Sequence, residues 1–101
     1  MYDLSDSELY NIGLAFYTTS DNKQINATDV MDSETEEKFW ELCKKDNKFE
    51  EEIENAVAKC KSEYSEALSI KDSDFQNSEE FFEEKNAAEE KVIVKLKIAL
   101  D

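Results

Sequence analysis

The residues of this chain that could do chemistry are almost all carboxylates. Its 101 residues include 26 Asp and Glu and twelve Lys, with no His and no Arg. Without His the chain lacks the commonest general base and metal ligand. Without Arg it lacks the fork that binds phosphate through two hydrogen bonds. There is no Ser/His/Asp set and no glycine-rich phosphate loop, so we expect no enzymatic activity, no cofactor and no bound metal.

One stretch has the oxygen spacing of a calcium-binding loop. Between Asp72 and Glu83, oxygen donors fall at positions 1, 3, 5, 9 and 12 of a twelve-residue segment, as in an EF-hand. Asn77, however, stands where that loop requires Gly, and Glu79 stands where it carries an aliphatic residue. Asn77 and Glu80 also have the spacing of a helix cap. We therefore expect this segment to begin a helix and not to bind calcium.

Acidic charge is the strongest functional signal in the sequence. The net charge is −14, and it is concentrated in residues 72–90 (−7) and 32–54 (−6). Residues 79–90 hold six Glu and one Lys over about 18 Å of helix. That is one carboxylate per about 3 Å, close to the phosphate spacing of about 3.4 Å along one strand of B-DNA. Such a surface repels nucleic acid and anionic lipid, but it can be steered onto a basic groove.

This charge pattern predicts an acidic binding protein that mimics nucleic acid and inhibits a DNA- or RNA-handling protein by occupying its basic groove. Small acidic phage anti-defence proteins, including the anti-CRISPR type, share its size, charge and helicity. We expect no direct nucleic-acid or membrane binding. The predicted partner-binding residues are Glu79, Glu80, Glu83, Glu84 and Glu90, supported by Glu36, Glu37, Glu41, Glu51, Glu52 and Glu54. The competing interpretation is that these carboxylates only keep the helices soluble.

A second functional hypothesis relies on apolar surface. In this alternative the chain is a helical adaptor or assembly subunit, because exposed aromatic residues are typical interface anchors. The candidate residues are Trp40, Tyr10, Leu14 and Tyr17. A homodimer through the apolar C-terminal segment is a further expectation. The polar start of the chain lacks a secretory signal, which favours the cytoplasm, or the host cytoplasm if the protein is phage-encoded.

The elements that must position these residues are helices. The chain has one Gly and no Pro, whereas tight hairpins depend on both. From residue 39 to 68, apolar side chains recur at helical spacing on one side. They are Phe39, Leu42, Cys43, Phe49, Ile53, Val57, Cys60, Tyr64, Ala67 and Leu68. The two cysteines lie on this stripe, which favours reduced core thiols over a disulfide.

Capping signals divide the rest of the chain. Ser5 with Glu8 predicts a helix to about residue 18, and residues 18–32 predict a long polar loop pinned by Ile25, Val30 and Met31. Ser33 with Glu36 predicts the next helix start.

Charge at Asp46 predicts a break in the apolar stripe near residue 47, with Asn47 and Glu50 as a cap pair; one continuous helix is the alternative. Residues 92–100 alternate like a strand, but helix is favoured. The expected fold is a single all-α domain, a three- or four-helix bundle built on an antiparallel pair at about 48–70 and 79–100.

Overall fold

A computed structural model describes residues 2–72 and 78–100 of the chain. In these ranges the chain forms six helices and no strand. Their bounds are α1 Asp6–Asp21, α2 Ala27–Val30, α3 Ser33–Lys45, α4 Phe49–Lys59, α5 Lys61–Asp72 and α6 Ser78–Leu100. The all-α prediction is confirmed, and α6 is helical throughout residues 92–100, not a strand. The expected count of three or four helices was too low.

Helix α1 begins as its sequence predicts and ends later. The Ser5 hydroxyl accepts a hydrogen bond from the Glu8 N–H, and the Glu8 carboxylate accepts one from the Ser5 N–H. The helix continues to Asp21, beyond the expected end at residue 18. Hydroxyls of Thr18, Thr19 and Ser20 donate to carbonyls three or four residues back, so polar residues that suggested a loop bond to the helix itself.

The segment between α1 and α3 is shorter and more ordered than a long loop. It contains the four-residue helix α2. Of the three residues expected to pin this segment to the core, Met31 is buried and does so, whereas Ile25 is only half-buried and Val30 is 39 % exposed. Asp32, not Ser33, caps α3, because its carboxylate accepts a 2.8 Å hydrogen bond from the Thr35 N–H.

The helix is interrupted at Asp46, as the charge within the apolar stripe predicts. The Asp46 carboxylate accepts a 2.9 Å hydrogen bond from the Lys48 N–H, and Tyr2 donates to it at 2.7 Å. These two hydrogen bonds hold the pKa of the Asp46 carboxyl below its usual value. The predicted Asn47–Glu50 cap was wrong, since Lys48 precedes α4 and makes no side-chain cap. Asp46 itself supplies the turn.

A second break, at Cys60, was not predicted. The Cys60 N–H bonds to the carbonyls of both Ala56 and Val57, and α5 starts one residue later. Neither Gly, Pro nor a capping residue lies at this point, so the sequence carries no signal for it. The apolar stripe nevertheless continues through the break, because Val57, Cys60 and Tyr64 are all buried.

Helices α5 and α6 form the predicted antiparallel pair. Lys91 pairs with Glu66 at 3.3 Å, and Lys95 lies close enough to Glu63 and Cys60 to shift their pKa values. Residue numbers thus rise along α6 as they fall along α5. Helix α6 also packs on α1 and α4, and α3 packs on α1 and α4. Helices α1 and α4 therefore each contact both α3 and α6.

Tyr64 occupies the centre of the core. Its side chain is fully buried, with its ring stacked between Tyr10 at 6.0 Å and Tyr17 at 5.6 Å. Its hydroxyl lies against Gly13, where an added Cβ would be 1.5 Å from the oxygen and 3.1 Å from Leu96. Glycine is therefore required at position 13 on steric grounds, because any side chain there would overlap the side chain of Tyr64. No described residue hydrogen-bonds the Tyr64 hydroxyl, and burial raises its pKa.

Two substitutions separate the steric and polar effects at this contact. Gly13→Ala should destabilise the protein by up to about 2 kcal/mol, because overlap in a packed core costs about 1–3 kcal/mol and the helix-propensity gain offsets only about 1 kcal/mol of that cost. Tyr64→Phe should be neutral or stabilising by about 1 kcal/mol, because it removes a buried hydroxyl without a described partner. Urea denaturation measures both. Equal stability of wild type and Gly13→Ala would contradict the close approach.

The α3 cap should make stability depend on pH. Hydrogen bonds from the Thr35 side chain and backbone lower the pKa of the Asp32 carboxyl. A carboxyl with a depressed folded-state pKa stabilises the fold above its unfolded pKa, about 3.9, and loses that contribution as pH falls through the folded value. Asp32→Asn keeps a capping oxygen but cannot titrate. Thermal melts from pH 7 to pH 2 should therefore fall less steeply for Asp32→Asn than for wild type; parallel curves would contradict the assignment.

Candidate protein-binding surface

Ten of the eleven predicted binding carboxylates are exposed, and the remaining one, Glu36, is half-buried. They lie on two sets of helices. The α6 set is Glu79, Glu80, Glu83, Glu84 and Glu90; the α3–α4 set is Glu36, Glu37, Glu41, Glu51, Glu52 and Glu54. Because α3 packs on α1 and α4, whereas α6 packs on α5, α1 and α4, the two sets do not form one continuous helix face.

The first half of α6 lies outside the core. None of the side chains of residues 79–87 is buried. The first buried side chain is Ala88, and Val92 and Leu96 follow at 0 % exposure. Helix α6 has 23 residues and spans about 34 Å, so more than a third of its length has no side chain in the core. We call residues 79–87 the acidic arm.

The acidic arm presents carboxylates beside an aromatic ring. Glu83 and Glu84 are exposed, and Phe82 between them and the helix start is 56 % exposed. The Phe82 ring meets Phe81 edge to face, with 6.0 Å between ring centroids. Lys85, the one basic residue of the arm, is half-buried. The outward chemistry of the arm is therefore dominated by carboxylates.

Ion pairs join different helices of the bundle. They join Lys38 to Glu8, Lys61 to Asp21, Lys91 to Glu66 and Lys97 to Asp6, at 2.6–3.3 Å. None of these acids belongs to either predicted set. These four lysines thus pair with carboxylates on α1 and α5.

The α3–α4 set is less uniform than the arm. The Trp40 indole N–H donates to Glu36 at 3.4 Å, and Glu52 accepts from the Tyr2 hydroxyl. Four lysines share residues 32–54 with the acids. A groove of about 420 Å³ between α1 and α3 shows the mixture, since Glu34, Glu37 and Glu41 line it together with Lys38 and Lys45. This surface has a lower density of net charge than the arm.

The predicted aromatic interface is largely internal. Tyr10 and Tyr17 are buried, because both stack on Tyr64, so the expectation that they form a surface was wrong. Leu14 is half-buried. Trp40 alone of the four is exposed, at 47 %. Its ring packs edge to face on the buried Phe39 at 5.4 Å, which leaves the outer part of the indole open to a partner.

Three exposed apolar side chains were not singled out from the sequence. Besides Phe82, Val94 is 48 % and Ile98 68 % exposed on α6. Ile98 lines a groove of about 490 Å³ with Tyr2, Leu4, Leu9, Lys97 and Leu100. The available signal was position: Phe82 precedes the first core residue of α6, and Val94 and Ile98 face away from Val92 and Leu96.

The two cysteines of the chain are poorly suited to act as nucleophiles. Cys43 and Cys60 are free, and burial raises the pKa of both thiols, which disfavours the nucleophilic thiolate. Among residues 2–72 and 78–100 no group of three His, Cys, Asp or Glu could hold a metal ion. Residues 73–77 of the calcium-like segment, which include the predicted cap Asn77, lie outside these residues. No helix in the described ranges is long and apolar enough to cross a membrane.

Comparison with known proteins identified no relative of this chain. No protein-family model matches the chain, and neither curated proteins nor solved structures give a significant match. Functional inference therefore depends on the surface itself.

The burial pattern of α6 predicts two levels of local stability within one helix. Amides of residues 79–87 should exchange with deuterium faster than those of 88–96, because local opening of the acidic arm exposes little apolar surface. Hydrogen-exchange mass spectrometry with overlapping peptides measures the difference. The expected boundary between fast and slow exchange lies between the half-buried Phe81 and the buried Ala88. Uniform protection along α6 would contradict it.

Proposed function

We propose that this protein is a non-enzymatic acidic inhibitor that occupies the basic groove of a DNA- or RNA-handling protein. The observation that carries the proposal is the acidic arm: a dense row of exposed glutamates on a helix segment that takes no part in the core. A partner can approach such a segment from several sides. In this proposal Glu79, Glu80, Glu83, Glu84 and Glu90 make the principal contacts, and the α3–α4 set contributes to long-range attraction.

The charge distribution supports binding over simple solubility. The net charge of −14 is concentrated in residues 72–90 and 32–54, whereas charge that serves solubility alone can be spread over the whole surface. The geometry of the arm also fits a groove built for nucleic acid, because its carboxylates are spaced like phosphates along a helix about 10–12 Å in diameter.

In size and charge the proposed inhibitor resembles small acidic phage anti-defence proteins, including the anti-CRISPR type. An inhibitor of this kind acts in the cytoplasm, which for a phage-encoded protein is that of the host. It binds the basic protein and not the nucleic acid, since its own charge of −14 repels phosphate. We expect association with the basic partner to be fast, because the opposite charges steer the two proteins together.

Charge reversal of the arm tests this proposal. Glu80, Glu83 and Glu84 are changed together to Lys, and the matched control carries the same change at Asp3, Glu34 and Glu50, three exposed acids outside the predicted set. Both variants alter net charge equally. Pull-down from the native host with mass spectrometry should recover a basic nucleic-acid-binding protein with wild type and control but not with the arm variant.

The captured protein then allows a direct measurement. Its association rate with wild type should fall steeply as salt rises, because exposed charges are screened beyond about 8 Å at physiological ionic strength, and duplex DNA or RNA should compete for it. Circular dichroism checks that both variants fold. A partner whose binding ignores ionic strength and survives arm reversal would contradict the mimic.

Trp40 supports a second candidate function, that of a helical adaptor or assembly subunit. Its indole is nearly half exposed on α3, and tryptophan is enriched among residues that dominate interface energy. Under this alternative Trp40→Ala abolishes partner capture and the arm variant has little effect. Tyr17→Ala is not a usable test, because Tyr17 is buried against Tyr64 and its loss would weaken the fold.

A further inference from the structure

The exposed face of α6 is divided into two unlike halves. Residues 79–90 carry six Glu and one Lys, whereas residues 91–100 carry three Lys and no acid. The second half is the most basic part of an otherwise acidic chain. Lys91, Lys95 and Lys97 are all exposed there. Lys91 and Lys97 have intrachain partners that are themselves more than half exposed, while Lys95 belongs to none of the ion pairs among the described residues.

The basic half also carries unpartnered apolar surface. Val94 and Ile98 are one helical turn apart and are 48 % and 68 % exposed. Next to Ile98 lies the groove of about 490 Å³ that Tyr2, Leu4, Leu9 and Leu100 line. The acidic half carries a matching apolar group, since Phe82 is 56 % exposed among glutamates. Each half of α6 thus combines exposed apolar side chains with charge of one sign.

We propose that the surface complementary to α6 is α6 of a second copy of this chain, bound antiparallel. A two-fold axis near the middle of the helix sets the acidic half of each copy against the basic half of the other. Glu83 and Glu84 of one protomer then meet Lys95 and Lys97 of its partner. Val94 and Ile98 lie on the same exposed side of α6 as Glu83, so they also enter the contact. Because the arrangement is isologous, every favourable contact occurs twice.

Charge decides the orientation of this pair. In a parallel arrangement the acidic halves would face one another, and like charges would repel along the whole arm. In the antiparallel arrangement only opposite halves meet. The net charge of −14 on each copy opposes association at low salt, but at physiological ionic strength it is screened beyond about 8 Å, whereas contacts across the helix pair are not. The dimer does not depend on the proposed function; if both hold, it covers the arm and must dissociate before a basic partner binds.

Sedimentation equilibrium of the full chain tests for the dimer. Wild type should show a reversible monomer–dimer equilibrium between micromolar and millimolar concentration at physiological salt. Ile98→Glu should weaken dimerisation by at least about tenfold, whereas Val30→Glu, which alters an exposed apolar residue on α2, should not. A wild type that remains monomeric over this range would overturn the proposal, as would equal effects of the two substitutions.

A charge swap in two chains tests the orientation. One variant carries Glu83→Lys and Glu84→Lys, so the four positions that meet in its homodimer, 83, 84, 95 and 97, are all lysine; the other carries Lys95→Glu and Lys97→Glu, so all four are glutamate. Each alone should be monomeric, but their equimolar mixture should form a heterodimer because opposite halves meet again. Thermal melts establish that both fold. Failure of the mixture to associate would overturn the antiparallel arrangement, while the pull-down with the arm variant reports on the proposed function separately.

Discussion

The close contact between Tyr64 and Gly13 is the constraint on which the rest of the structure depends. A tyrosine with no exposed surface stacks between Tyr10 and Tyr17 and points its hydroxyl at the one position of α1 that has no side chain. The ring joins α1 to α5, and Leu96 brings α6 to the same point. Three helices thus share one steric contact. In a small domain with a modest core, a single well-filled contact of this kind contributes strongly to a unique packing.

The helical spacing of apolar residues predicted most of this core, because burial follows the periodicity directly. All ten residues of the stripe between Phe39 and Leu68 are buried or half-buried. The break at Asp46 was also predictable, since a charge interrupts the stripe there. The break at Cys60 was not, because the helix is interrupted by a shared backbone hydrogen bond in a sequence without Gly, Pro or a cap. Asp32, and not the predicted Ser33, caps α3. A difference of one residue at a helix end is rarely resolved from the sequence pattern.

Surface features were harder to predict than the core. Exposure of the glutamates followed from their place on the helical wheel. Which aromatic residues are exposed did not, because a wheel describes one helix and Tyr10 and Tyr17 are covered by another. Phe82 shows the opposite error: it lies near the core side of α6, but the neighbouring helices leave more than half of it exposed. Amphipathic patterns identify a face; only tertiary packing determines how far along the helix that face is covered.

The division of α6 into a core-forming half and a projecting half has a consequence for how this protein can evolve. Ala88, Val92 and Leu96 hold the helix in place, so substitutions in residues 79–87 change the charge and shape of the surface at little cost to folding. An inhibitor whose target varies needs this separation of stability from recognition. Under the proposed function, a few changes in these nine positions would adapt the surface to an altered basic groove without repacking the interior.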